Sequence, residues 1–262
     1  MGPVAVRHCV VLALLARVPA YATAHVPGPQ AATYYAQRHS NLRKCRIETW
    51  KKTTDAVHAT GSYVFCQLWA IGRPAIPSLR NMTPIAISEL PCPLTEGEIA
   101  SYIVAYDTAA HNAVHLAGFD GVDVHAANDY LVDQFIQSVN NTRTNKWSGA
   151  VAACVKAIGE ERLAICPSPW SAFQGMHATF SYLVRALRDA HSHMANLHIT
   201  KARTSSTIDV IPAEHENNDF LHEIWHKGED ASRRIFMSAG GDTRETALNT
   251  AEEKGDLVCS FL

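Results

Sequence analysis

The chain has 262 residues, 47% of them hydrophobic and 18% charged, with a formal net charge of -2. That near-neutral balance gives no electrostatic footprint for nucleic acid or an anionic membrane surface. The length suits one large α/β domain, expected over residues 1–262, and no apolar run reaches the roughly 18 residues needed to cross a bilayer.

The first apolar run lies within HCVVLALLARVPAYATAHVPGP, His8 to Pro29, and admits two readings. Arg7, the run Cys9–Ala16 and the small residues Ala20, Ala22 and Ala24 have the order of a secretory signal peptide. The same run also reads as a short buried strand, Val10–Ala13, that ends in a loop. The seven cysteines, at 9, 45, 66, 92, 154, 166 and 259, contain no CxxC pair. They fit free buried thiols better than a disulfide framework or a zinc ribbon, which favours the strand and a cytoplasmic address. The N-x-[ST] patterns at Asn81 and Asn140 do not outweigh this.

Six more strands are predicted at Tyr63–Trp69, Gly121–His125, Leu163–Cys166, Asn196–Thr200, Ile235–Ser238 and Leu257–Phe261. Helical periodicity falls near Glu48–Thr60, Thr95–Leu116, Tyr130–Val139, Ala150–Ile158, Phe180–Ala190, Asp219–Lys227 and Thr243–Lys254. Gly61, Gly118, Gly159 and Gly255 each follow an apolar-periodic run, as helix stops do. Such alternation predicts a parallel sheet with crossover helices. A (β/α)8 barrel needs eight strands, and seven are legible. Residues 14–62, between the first two, hold one helix and a Pro/Gly-containing loop. On pattern alone an open doubly wound sheet also remains.

In parallel α/β folds the reacting groups lie at the carboxyl ends of the strands. In GFDGVDVHAANDYLVDQF, His125 stands at a strand tip, with Asn128 and Tyr130 just beyond it. An imidazole and a carboxamide can donate to one carbonyl oxygen, and a phenol beside them can supply a proton. Gln67 falls inside an apolar strand, where a buried carboxamide needs partners and suits a heterocycle edge. Gly240 and Gly241 lie between a strand and a helix start, a backbone-amide cradle for a phosphate. The segment HEIWH, His222 to His226, matches H-E-x-x-H, with Glu223 as the base of a zinc hydrolase. Its continuation KGEDASRR lacks a third histidine, and Glu245 is the remaining ligand to suggest. HNAVH, His111 to His115, repeats the spacing without the glutamate. Zinc hydrolysis is thus a remote alternative, and no metal ligand is assigned.

Together AHVPGP, YYAQR, WKKTTDAVHATGSYVFCQLWAIGR, GFDGVDVHAANDYLVDQF, SPWSAFQGM, NDFLHEIW and SAGGDTRETALNTAEEKGDL resemble the old yellow enzyme family of FMN-dependent ene-reductases, especially its fungal branch. The resemblance implies a (β/α)8 barrel with FMN at the carboxyl-end mouth. NAD(P)H, here expected to be NADPH, reduces the flavin, which passes hydride to the β-carbon of a small enone or enal. By the same resemblance His125 and Asn128 hold the substrate carbonyl, Tyr130 protonates the α-carbon, Gln67 meets the flavin pyrimidine edge, and Gly240 and Gly241 hold the phosphate.

Departures from the family pattern define a second expectation. Ala16 stands where a threonine hydroxyl meets the reactive edge of the flavin. Cys166 stands where an arginine lies near flavin N1. Asp129 replaces a glycine. The family's second strand is expected to be missing after AQRHSNLRK, part of a helix after NTRTNKWSG, and a Gly-Arg phosphate contact with the last helix after GDLVCSFL. The expected protein is therefore an incomplete barrel with FMN binding weakened or lost, and inactive or severely impaired. The alternatives are a working NADPH-dependent ene-reductase and a scaffold, for which no residue speaks. In the branch acting on chanoclavine-I aldehyde in ergot alkaloid biosynthesis, a tyrosine at the donor position, as Tyr130, marks reductases.

Overall fold

The computed structural model describes residues 9–12, 44–70, 72, 94–137, 149–170, 176–205, 208–209 and 216–260. In chain order they form β1 (Val10–Leu12), α1 (Lys44–His58), β2 (Phe65–Leu68), α2 (Glu96–His111), β3 (Gly121–Ala126), α3 (Leu131–Ile136), α4 (Gly149–Ile158), β4 (Leu163–Pro167) and α5 (Met176–Ala190). There follow β5 (Asn196–Thr200), the two-residue strands β6 (Thr204–Ser205) and β7 (Ile208–Asp209), α6 (Asp219–Trp225), β8 (Phe236–Ala239), α7 (Arg244–Lys254) and β9 (Leu257–Ser260). All seven predicted strands are present.

Seven strands build one sheet in the order β1-β9-β8-β5-β4-β3-β2, and every neighbouring pair is parallel. Pairing of the last strand with the first is the closure of a barrel rather than an open doubly wound sheet. Among the described residues that closure is incomplete, because β1 and β2 are edges. The gap falls where the second barrel strand is expected to be missing, and residues 13–43 lie outside the described residues. Val10–Leu12 pairs with Val258–Ser260, so the apolar start of the signal-like run is barrel wall.

Alternation along each strand divides two environments. Val122, Val124, Leu163, Ile165, Leu197 and Ile199 join Trp50, Phe119, Phe180 and Trp225 in the layer between sheet and helices. The intervening residues face the barrel interior, where Met237, Leu257 and Cys259 form a smaller cluster. Helix ends follow local chemistry. Thr95 and Glu98 form a capping box at α2, and Gly255 takes the left-handed conformation that closes α7.

Three elements differ from expectation. Helix α2 ends in a π-helical turn, Asn112–Leu116, rather than continuing as α-helix. Helix α3 ends at Ile136, because Gln137 turns extended and its buried side chain donates to Asp133 Oδ1 at 2.9 Å. The β6–β7 hairpin was not foreseen, since two-residue strands leave no periodicity to read. The cysteines at 9, 66, 154, 166 and 259 are free, as expected. No helix among the described residues is long and apolar enough to cross a membrane.

Candidate functional site

The carboxyl end of β3 carries the first candidates. His125 is half-buried, and its Nδ1 is buried with no hydrogen-bond partner. Burial pushes its pKa below the ordinary value; Asp123 acts against that shift and His198 adds to it. The ring is therefore neutral at pH 7 and carries one N–H to donate. Beyond it Asn128 and Asp129 take left-handed backbone conformations, with φ of 57° and 59°. Asn and Asp are among the few non-glycine residues that tolerate this region. Two bonds hold the turn: Asn128 N donates to Ser168 Oγ at 2.9 Å, and Asp129 N to Asp133 Oδ2 at 2.8 Å. The turn delivers the Tyr130 ring to 5.3 Å from that of His125 and edge-on to Trp69 at 5.0 Å. His125 and Tyr130 thus meet at one strand end.

Gln67 does not point into open space. Its Nε2 donates to Asp123 Oδ2 at 3.2 Å. The same oxygen lies 3.1 Å from His198 Nδ1, in a pair whose side chains are 4% and 5% exposed. Burial opposes the His198 imidazolium, yet the hydrogen bond with Asp123 helps hold its pKa well above the ordinary value. Cys166 ends β4 beside His125 in the parallel register. It is buried, and that burial pushes its thiol pKa up, so it offers no charge. Asp123 and His198 were missed in the sequence. Their one trace is parity: both are polar residues at inward positions, alternating with the apolar outward residues of their strands.

Gly240 and Gly241 follow β8 with φ of 118° and 77°. Arg203 packs against this turn, its side chain lying where a Cβ on Gly241 would stand. Its guanidinium Nη1 donates to Gly241 O at 3.2 Å. Beside it Lys201 Nζ bonds Asp242 Oδ1 at 2.7 Å, along a cavity of about 400 Å³. Ala16 lies outside the described residues.

The H-E-x-x-H reading fails on geometry. His222 Nε2 is 3.0 Å from Asp256 Oδ1, and Glu223 is exposed. Both ring nitrogens of His226 face main-chain carbonyls, His222 O at 3.1 Å and Arg234 O at 3.0 Å. The two imidazoles stack 4.2 Å apart instead of converging on an ion. His115 is likewise engaged, 3.2 Å from Ala157 O.

The family model described as NADH:flavin oxidoreductase / NADH oxidase family matches residues 20–260. The chain belongs to this family. Among curated relatives it is 38% identical to the chanoclavine-I aldehyde reductase fgaOx3 of Penicillium roqueforti, over 87% of this chain and 73% of that protein. It is 36% identical to the NADP-dependent oxidoreductase lnbE of Aspergillus flavus, over 94% and 78%. It is 35% identical to the "probable inactive dehydrogenase easA" of Claviceps purpurea, over 80% of this chain but 61% of that protein. The old yellow enzyme from a Pichia species superposes with a TM-score of 0.78 at 24% identity, over 99% of this chain and 81% of that one. The fold is accordingly that of an incomplete (β/α)8 barrel of the old yellow enzyme type.

Proposed function

We propose that this family member, acting as one barrel domain, keeps the edge that receives a substrate carbonyl but holds FMN weakly. Ene-reduction of small α,β-unsaturated carbonyls is then severely impaired or absent. The observation that carries the reading is Cys166: a buried, uncharged thiol ends β4 where the resemblance calls for a cation beside flavin N1. A further contact points the same way: the Gln67 amide is drawn toward Asp123. The described residues therefore do not fit FMN well, and no hydride step is assigned to them.

One observation favours a second reading, a turning-over NADPH-dependent ene-reductase. His125 and Tyr130 remain in ring contact at one strand end. There the neutral His125 and Asn128 can donate to a carbonyl oxygen, and Tyr130 can give a proton to the adjacent α-carbon. The relatives' names direct the choice of substrate toward enals such as chanoclavine-I aldehyde, in fungal secondary metabolism.

The readings separate in an NADPH-oxidation assay with an enal, run on the purified chain before and after incubation with excess FMN. No substrate-dependent turnover in either state is the expected result. Turnover that depends on Tyr130, lost in Tyr130→Phe, contradicts it.

A further inference from the structure

A second cluster lies in the barrel interior; it shares Cys166 and Asp123 with the reading above, which gives them no ligand of their own. Asp123 on β3, Cys166 on β4 and His198 on β5 offer a carboxylate oxygen, a sulfur and an imidazole nitrogen within 4.8 Å of one another. All three residues are buried. The bonding of the carboxylate is incomplete: Asp123 Oδ1 is buried with no hydrogen-bond partner. Orphaned buried polar atoms are uncommon in folded proteins, and an ion is one recurrent reason for them.

We propose that Asp123, Cys166 and His198 form a binding site for one divalent cation of borderline softness, zinc foremost, with a fourth position left open. A mixed O, S and N donor set is that of zinc rather than of calcium or magnesium, which prefer oxygen alone. The separation of 3.1 Å between His198 Nδ1 and Asp123 Oδ2 is close to the edge of about 3.3 Å that a tetrahedron with bonds of about 2.0–2.1 Å requires. The three residues sit on neighbouring parallel strands whose registers are fixed, so the backbone is already in place. Entry of the cation displaces the protons of the ligating thiol and imidazole nitrogen to solvent, and no electron is transferred. Sequence spacing hides the site, since its outermost members are 75 residues apart.

The test is metal binding by the full chain, stripped with chelator and dialysed against Zn2+. One zinc per chain is expected, with X-ray absorption giving one sulfur at about 2.3 Å and nitrogen or oxygen at about 2.0–2.1 Å. Cys166→Ser weakens binding by more than about 100-fold, beyond the 10–100-fold that outer-shell changes cost. Cys154→Ser, in the helix layer, leaves affinity unchanged. A shell with no sulfur, as the His222 and His226 pair would give, overturns the proposal. So does a shell with two sulfurs, or a chain that retains no zinc. If Cys166→Ser does not fold, Co2+ titration of the unmodified chain decides. A thiolate-to-cobalt charge-transfer band supports the site, and its absence overturns it.

Discussion

Returning an arginine to the end of β4 reverses the departure on which the impaired-flavin account rests. In Cys166→Arg a guanidinium enters a position that is 3% exposed, beside His125 and close to Asp123 and His198. Two terms oppose each other. Extra volume in a packed interior costs about 1–3 kcal/mol, and a second cation near His198 adds repulsion. Asp123 Oδ1, which lacks a hydrogen-bond partner, can accept from the new guanidinium and offset part of this. With heat-induced unfolding shifting by about 2–4 °C per kcal/mol for a chain of this size, the variant melts several degrees lower. Flavin affinity moves the other way. A charge-assisted bond to FMN contributes about 1.5–3 kcal/mol, which is roughly 10–150-fold in Kd. Quenching of FMN fluorescence on titration measures it, with circular dichroism confirming that the variant is folded. A folded variant with the same FMN affinity as the unmodified chain refutes the reasoning.

Asp129→Gly exchanges one residue that tolerates a left-handed position, with φ of 59°, for another that loses more backbone freedom on folding, so stability is expected to change by less than about 1 kcal/mol; urea unfolding followed by Trp fluorescence measures it, and a larger gain contradicts this. Burial raises the pKa of Asp256 from 3.8 to about 6. Its contribution to stability is therefore full below about pH 4 and is lost as pH rises through about 6. Relative to Asp256→Asn, the unmodified chain should lose melting temperature between about pH 4 and pH 7; a constant gap between the two would contradict the shift. Replacing both His222 and His226 by Ala should leave bound zinc unchanged, because their nitrogens are engaged by Asp256 and main-chain carbonyls; elemental analysis reads this directly.

Hydrophobic alternation made the wall of the barrel legible, and local chemistry made its helix ends legible. Each of the seven strands combines apolar, β-rich residues with a punctuating turn, and Thr95 and Gly255 cap helices as their types dictate. His125 and Tyr130 could be read together because they share one strand end and its following turn. What pairs across the interior could not. The Asp123–His198 contact joins residues 75 apart, and its register depends on β4 lying between β3 and β5. Arg203 escaped notice for a related reason: it reaches the Gly240–Gly241 turn from a different strand-end loop. The H-E-x-x-H match, held only as a remote alternative, shows the opposite case. Spacing brought two imidazoles onto one helical turn, but tertiary acceptors had already claimed their nitrogens. The signal-like start stayed ambiguous on local composition, because a buried barrel strand and a signal peptide core share the same short apolar run; the cysteine pattern favoured the strand, and the pairing with β9 agrees.

The central claim, that this chain keeps the family's barrel but not its hold on flavin, is tested most directly by FMN content. The purified chain is incubated with excess FMN, desalted, and its visible spectrum recorded against protein concentration. The account predicts well under one flavin per chain and no bleaching when NADPH is added. A stoichiometric yellow complex that NADPH bleaches would contradict it.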